Sequence, residues 1–132
     1  MTTYYLDSSV ALRVLLGHST SAAEWLELVT GSPSSVFVSS RILNTELMRT
    51  LRREGQPLSL RYRVLEPLQT IPLTEGILAE AEAIVPHVKT LDAIHLASAL
   101  ACGLDPIIVT HDAGMKATAE MMGLRTHDPV EE

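Results

Sequence analysis

The sequence predicts an α/β fold in which helices cover both faces of a central parallel sheet. Short apolar strands alternate with helical segments of about ten to fifteen residues, the pattern of right-handed strand–helix–strand crossovers. The run Ile107–Val109 contains only β-branched residues, as expected of a strand that is buried on both faces. Carboxylates stand just after such strands, at Asp7 and again at Asp112.

The first half of the chain follows this pattern. It is predicted to contain a strand at residues 4–6, helices at 9–16 and 21–29, and a strand at 36–38. Ser39 or Ser40 then caps a longer helix that runs through Arg53 and carries apolar residues four positions apart. These residues are Leu43, Leu47 and Leu51. Glu46 lies beside this stripe, where a charge needs a partner.

The second half continues the alternation. The predicted elements are a helix at residues 57–66, a strand at 70–73, helices at 74–85 and 91–102, a strand at 106–110, a helix at 112–122 and a strand at 124–127. Thr74 caps its helix and Pro86 stops it. The 91–102 helix is apolar on nearly all sides apart from Asp92, His95 and Ser98, so it is expected to pack on more than one face.

Length and composition indicate one globular unit. The 132 residues favour a single domain, 1–132, and 46% hydrophobic residues with 20% charged residues are typical of a folded chain. The single cysteine, Cys102, allows neither an internal disulfide nor a cysteine-based zinc site. No leader pattern and no long apolar run is present, so a cytoplasmic location with no membrane association is expected.

Four acids are the candidate site: Asp7, Glu46, Asp92 and Asp112. Parallel strands end at one edge of a sheet, so Asp7 and Asp112 should emerge together, and the other two can join them from helices. Converging carboxylates repel each other unless a cation is present, and oxygen ligands select Mg²⁺ or Mn²⁺. Separately, each aspartate could serve its helix N-terminus, and an arginine could pair with Glu46.

The positive charges are unevenly distributed. The net charge is −6, which argues against a general nucleic-acid coat protein, yet six of the ten basic residues lie between positions 41 and 63. They could form solvated helix faces. Alternatively, they form a basic rim that contacts phosphates or an acidic partner.

Four short motifs carry a resemblance to a known family. They are LDSSVA at residues 6–11, NTEL at 44–47, TLDAIHLA at 90–97 and VTHD at 109–112. With these motifs the chain resembles the PIN-domain ribonucleases, and among them the VapC-type toxins of toxin–antitoxin pairs. The resemblance implies a PIN-like three-layer α/β/α fold with a central, mainly parallel sheet of four to five strands.

The resemblance also implies a site and a reaction. Asp7, Glu46, Asp92 and Asp112 would hold Mg²⁺ or Mn²⁺ for hydrolysis of RNA phosphodiester bonds. Ser9 would support the first acid, and Thr110 is the hydroxyl found before the fourth, which is the acid least uniformly required in the family. The implied partners are an RNA substrate, a cognate antitoxin and a second copy in a homodimer. Three arginines could contact RNA or the antitoxin: Arg49, Arg52 and Arg53.

Other readings of the same residues differ in testable ways. A haloacid-dehalogenase-type phosphatase needs an aspartate where Ser9 stands, and a receiver domain needs its phosphoacceptor at the end of a strand, whereas Asp92 opens a helix. A catalytically silent interaction module, whose acids only cap helices, stays open. His95 lies three residues after Asp92 and is either a ligand or a packing and hydrogen-bonding partner.

Overall fold

The fold is a three-layer α/β/α arrangement around one parallel sheet. The computed structural model describes residues 1–131. Within that range the strands are β1 Thr2–Leu6, β2 Ser35–Ser40, β3 Gln69–Ile71, β4 Ile107–Val109 and β5 Arg125–His127. They lie in the order β3-β2-β1-β4-β5, and every neighbouring pair is parallel. The predicted α/β class and parallel sheet are therefore confirmed, with five strands in the described residues.

The helices agree with the prediction except in two places, and the predicted N-cap of the third helix, Ser39 or Ser40, is wrong, because both serines end β2 and Arg41 occupies that position. The helices are α1 Ser8–Leu15, α2 Thr20–Thr30, α3 Ile42–Arg53, α4 Tyr62–Leu65, α5 Glu75–Glu82, α6 Thr90–Ala101 and α7 Ala113–Met121. The predicted 57–66 helix is divided into a 3₁₀ turn, Leu58–Arg61, and the short α4. Helix α5 ends at Glu82 rather than Val85; Pro86 disfavours helical geometry only at Val85, so the proline alone does not account for the earlier end. Within residues 1–131, no helix combines the length and the apolar character needed to cross a membrane.

The alternation of side chains in β1 divides the interior into two cores. Leu6 packs with α1, α2 and α3 on one face of the sheet, whereas Tyr5 packs with α6 and α7 on the other. The predicted α3 stripe is fully buried in the first core. The apolar character of α6 has the expected cause, because its residues 93–99 are all buried.

The order of the strands creates a crevice at one end of the sheet. From β1 the chain continues to β2 and β3 on one side, and it later returns to β4 and β5 on the other side. The connections that leave β1 and β4 therefore diverge, and ligands bind in parallel sheets at such a switch point, beyond the carboxyl ends of the strands. Asp7 follows β1 here, and Asp112 lies three residues after β4.

Candidate active site

Asp7 is a buried carboxylate at the mouth of the crevice, with a side chain that is only 2% exposed. Its Oδ2 accepts hydrogen bonds of 2.8 Å from both Ser9 Oγ and Thr110 Oγ1. Its Oδ1 is buried and has no hydrogen-bond partner among the described residues. Asp7 occupies the N-cap position of α1 but makes no side-chain cap bond, so helix capping does not account for it. A buried carboxylate oxygen without a partner calls for another ligand.

Ser9 and Thr110 fasten Asp7 to the loop after β4. Each hydroxyl donates its proton to Asp7 and accepts a backbone N–H: Ser9 Oγ from His111 at 2.9 Å, Thr110 Oγ1 from Asp112 at 3.1 Å. The two hydroxyl oxygens are 3.2 Å apart. The predicted supporting residues therefore hold the first acid against the segment that carries the fourth.

Asp92 lies in the first turn of α6, where the negative charges of other acids disfavour its ionised form. Its pKa rises to about 6, first because burial disfavours its charge and then because Asp7 and Asp112 are negatively charged. The charges of His95 and Lys89 act in the opposite direction but do not prevail. Three of the four predicted acids thus share one electrostatic environment with an excess of negative charge.

Asp112 has a second role that the sequence also suggested. It is the N-cap of α7, and its Oδ1 accepts a 2.9 Å hydrogen bond from the Met115 amide. The helix-cap reading is confirmed for this residue. One of its two oxygens is therefore committed to the helix.

Glu46 projects from α3 and has a partner on each oxygen. Its Oε1 lies 2.5 Å from His95 Nε2, and its Oε2 accepts a 3.0 Å hydrogen bond from Ser8 Oγ. Burial alone lowers the pKa of His95, but the hydrogen bond and charge of Glu46, with the charges of Asp7 and Asp92, raise it overall. The partner that a carboxylate beside an apolar stripe requires is thus a histidine rather than an arginine.

The donor set suits a hard, hydrated cation better than a closed protein cage. Within residues 1–131, no group of three or more His, Cys, Asp or Glu side chains is spaced to enclose a metal ion. Mg²⁺ usually keeps several waters and binds through one or two carboxylates. Such ligands are available here, because Asp7 has an oxygen without a hydrogen-bond partner among the described residues and the charge of Asp92 is disfavoured by burial and by the other acids. The residues present therefore fit a divalent ion held partly through water.

A groove of about 350 Å³ runs beside Glu46. Helices α1, α3 and α6 contribute Leu12, Ile42 and Leu91 to its walls, together with Arg49. Of the three predicted contact arginines, Arg49 therefore lies next to an acid, while Arg52 and Arg53 are exposed near the end of α3.

Comparisons with known proteins identify the family of the chain. A family profile described as "PIN domain" matches residues 4–121. The chain belongs to the PIN-domain family. Ribonuclease VapC47 of Mycobacterium tuberculosis is 33% identical to it over 132 residues, which cover 95% of this chain and 96% of that protein. This PIN domain is accordingly of the VapC type, as its motifs predicted.

Solved structures share the fold of this PIN domain. VapBC2 from Rickettsia felis, bound to a promoter DNA fragment, matches with a TM-score of 0.74 and 17% identity over 96% of this chain and 98% of that one. A toxin–antitoxin complex from Klebsiella pneumoniae matches with a TM-score of 0.67 and 21% identity over 86% and 90%. At these identities the likeness concerns the fold.

Two members of the hydrogen-bond network around Glu46 were not identified from the sequence of the PIN domain. Ser8 lies beside Asp7, but nothing in its context indicates a bond to Glu46, 38 positions away. Tyr5 reads simply as a buried strand residue, yet its hydroxyl lies 2.7 Å from His95 Nδ1. For His95, the three-residue spacing from Asp92 was the available signal.

Proposed function

We propose that the chain, as one domain spanning residues 1–132, is an endoribonuclease dependent on Mg²⁺ or Mn²⁺ and acts in the cytoplasm as the toxin of a toxin–antitoxin pair. The observation that carries the proposal is uncompensated negative charge in the crevice. Asp7 has a buried oxygen with no hydrogen-bond partner in the described residues, and burial together with the neighbouring acids raises the pKa of Asp92 to about 6. Membership of the PIN family and the name of the ribonuclease relative support it.

The four acids would share the work of holding the ion. Asp7 and Asp92 are the principal candidates, Asp112 can offer the oxygen that does not cap α7, and Glu46 completes the set from α3. A bound divalent cation supplies Lewis acidity that activates water and stabilises charge on the phosphate oxygens. Ser9 and Thr110 keep Asp7 from rotating, because both donate to the same oxygen.

The arginines of α3 are proposed to bind the flanking RNA. Arg49 borders the groove beside Glu46, so a phosphate next to the scissile one can reach its guanidinium. Arg52 and Arg53 extend the positive charge along the exposed part of α3. Such contacts attract RNA to a chain whose net charge is otherwise negative.

A protein partner is proposed for the same groove. Apolar walls from Leu12, Ile42 and Leu91 beside the charges of Arg49 and Glu46 suit an amphipathic antitoxin helix. Occupation by such a helix would block access of RNA to the acids. The toxin–antitoxin structure with the same fold supports a partner of this kind. Co-expression of the cognate antitoxin should abolish cleavage, and the Arg49→Glu change should weaken the antitoxin complex in a binding assay without RNA.

A homodimer is proposed as well, since two-fold pairs are the commonest oligomers. Light scattering of the purified chain should then report twice its mass of 14.4 kDa. A monomer at micromolar concentration would contradict this part of the proposal.

The decisive experiment is cleavage of total RNA by purified protein in Mn²⁺ or Mg²⁺, with EDTA as a blank. Asp7→Asn should abolish discrete fragments, because the amide cannot neutralise a cation as a carboxylate does. Asp105→Asn is the matched control: this acid is exposed at the opposite end of β4 and pairs only loosely with Arg125, at 3.5 Å. Equal cleavage by wild type and Asp7→Asn, with circular dichroism unchanged, would refute the mechanism.

A catalytically silent PIN module is the second candidate. This candidate is favoured because two acids already accept hydrogen bonds within the fold: Glu46 through both oxygens, and Asp112 through the oxygen that caps α7. Titration calorimetry with Mn²⁺ separates the two functions. The enzyme should bind Mn²⁺ with an affinity that the Asp7→Asn change removes, whereas the silent module should bind none.

A further inference from the structure

A buried chain of hydrogen bonds ends on Glu46. The Tyr5 hydroxyl lies 2.7 Å from His95 Nδ1, His95 Nε2 lies 2.5 Å from Glu46 Oε1, and Ser8 Oγ donates to Glu46 Oε2 at 3.0 Å. The His95 and Tyr5 side chains are both completely buried. The chain thus joins β1, α6, α3 and the first residue of α1.

The direction of these bonds follows from the chemistry of each group. The Tyr5 hydroxyl can donate to His95 Nδ1 when the ring is neutral and accept from it when the ring is protonated, so this bond is available in both states. A carboxylate accepts only, which requires a proton on His95 Nε2. Glu46 therefore receives one donor on each of its oxygens, from His95 and from Ser8.

The path of this chain crosses from one core to the other. Tyr5 packs in the core beneath α6 and α7, whereas the leucines that flank Glu46 on α3 belong to the core on the opposite face of the sheet. The hydrogen bonds of His95 therefore join residues from the two sides of the sheet, near the carboxyl end of β1. A glutamate has three rotatable bonds, and donors on both oxygens remove much of that freedom.

Both ring nitrogens of His95 are occupied within this chain. Neither can bind a cation unless its hydrogen bond breaks, and the ring has no exposed surface through which RNA could approach. His95 lies one turn after Asp92 on α6, and its partner Tyr5 lies two positions before Asp7. The residue that holds Glu46 is therefore attached to the same two elements that carry these acids.

We propose that His95, oriented by the hydroxyl of Tyr5, is a positioning residue that aims the Glu46 carboxylate at the cation site formed with Asp7 and Asp92. This inference rests on the proposed metal-dependent function. The orientation of Glu46 would then depend on Tyr5, which contacts it only through His95. Loss of such a partner behind a ligand typically weakens metal binding by about 10–100-fold.

The test uses four variants of the full chain. His95→Leu keeps a side chain of similar volume but removes the hydrogen-bond donor, and His95→Gln restores a donor in the form of an amide. Tyr5→Phe removes only the hydroxyl. Tyr4→Phe is the matched control, because Tyr4 neighbours Tyr5 in β1 but packs against Trp25 and Phe37 on the other face. Calorimetry with Mn²⁺ and RNA cleavage are measured for each variant.

The expected pattern separates positioning from packing. His95→Leu should raise the Mn²⁺ Kd by about tenfold or more, Tyr5→Phe should raise it by less, and Tyr4→Phe should leave it unchanged. His95→Gln should recover part of the affinity. In metal-free protein, a downfield proton NMR signal from Nε2–H should be present in the wild type and Tyr4→Phe, and absent in His95→Gln.

The outcomes distinguish two failures. If the wild type binds Mn²⁺ and His95→Leu binds it equally well, the positioning role is overturned. It is also overturned if His95→Gln loses as much affinity as His95→Leu, since packing alone then explains the effect. If His95→Leu does not fold, Tyr5→Phe alone decides by the same criterion. A wild type that binds no Mn²⁺ overturns the metal-dependent function itself, and this inference with it.

Discussion

Replacing Asp92 with asparagine should stabilise the metal-free protein at neutral and alkaline pH. The folded-state pKa of Asp92 is about 6, above its ordinary 3.8, so the folded state holds this proton more tightly than the unfolded chain. The resulting stability is complete below pH 3.8 and is lost as the pH rises through about 6. At pH 8 the ionised Asp92 therefore lowers the free energy of unfolding. Asparagine, which carries no charge, removes this destabilisation.

The magnitude follows from the size of the pKa change. A rise from 3.8 to about 6 corresponds to ~3 kcal/mol at ~1.36 kcal/mol per pH unit. Asp92 is only partly buried, so solvent screening reduces this value by roughly half. Loss of a favourable charge in the first turn of α6 removes about 0.3–1 kcal/mol more, which leaves ~1 kcal/mol. For a chain of 132 residues this corresponds to a Tm increase of about 4 °C.

Thermal unfolding in EDTA measures the effect at pH 8 and at pH 4. The Asp92→Asn protein should melt about 4 °C above wild type at pH 8, and the two should melt together at pH 4, where Asp92 is protonated. Added Mn²⁺ should reverse the order, because only the carboxylate binds the ion well. Asp105→Asn, an exposed change of the same kind, should have no such pH dependence. An Asp92→Asn protein no more stable than wild type at pH 8 without metal would refute the reasoning.

Three further predictions concern other parts of the molecule. Thr110→Val removes one of the two donors to Asp7 Oδ2 and an acceptor for a backbone amide, so urea unfolding should report a loss of about 1–3 kcal/mol; an unchanged midpoint would contradict the bonds assigned to Thr110. Leu51→Ala empties a fully buried position in α3 and should cost about 2–5 kcal/mol in the same assay, whereas a loss below about 1 kcal/mol would mean that α3 packs differently. In an Asp7→Asn background that binds RNA without cleavage, Arg52→Gln should reduce the slope of log affinity against log salt by about 0.7, and an unchanged slope would remove Arg52 from the RNA interface.

Local patterns predicted the elements of this fold well where one physical cause dominates. The β-branched run before Thr110 forms β4, the four-residue leucine spacing forms the buried side of α3, and the Thr74 and Asp112 side chains cap α5 and α7. Prediction was poorer near prolines. The segment after Pro57 forms a 3₁₀ turn before α4, and α5 ends three residues before the predicted position, since tertiary contacts decide how far a marginal helix extends.

The partners of the acids were less accessible to sequence reasoning. Asp7 and Asp112 come together because they follow adjacent parallel strands, and that consequence could be anticipated from strand order in the chain. Glu46 differs, because its partner His95 is 49 positions away on a helix that packs on the opposite face of the sheet. No local periodicity encodes which of two buried polar groups will meet. Only the packing of α3 and α6 around the end of β1 decides it.

By itself, the sequence determined the α/β class and the parallel sheet, because these depend on local hydrophobic pattern, and its short motifs predicted the four acids and their two supporting hydroxyls. The tertiary structure decided which oxygens are already occupied. It left Asp7 Oδ1 buried without a described partner, committed one oxygen of Asp112 to a helix cap, and bonded Glu46 to His95 and Ser8. The physical reason is that a carboxylate is available to a cation only through lone pairs that the surrounding fold has not used, and those neighbours come from distant parts of the chain.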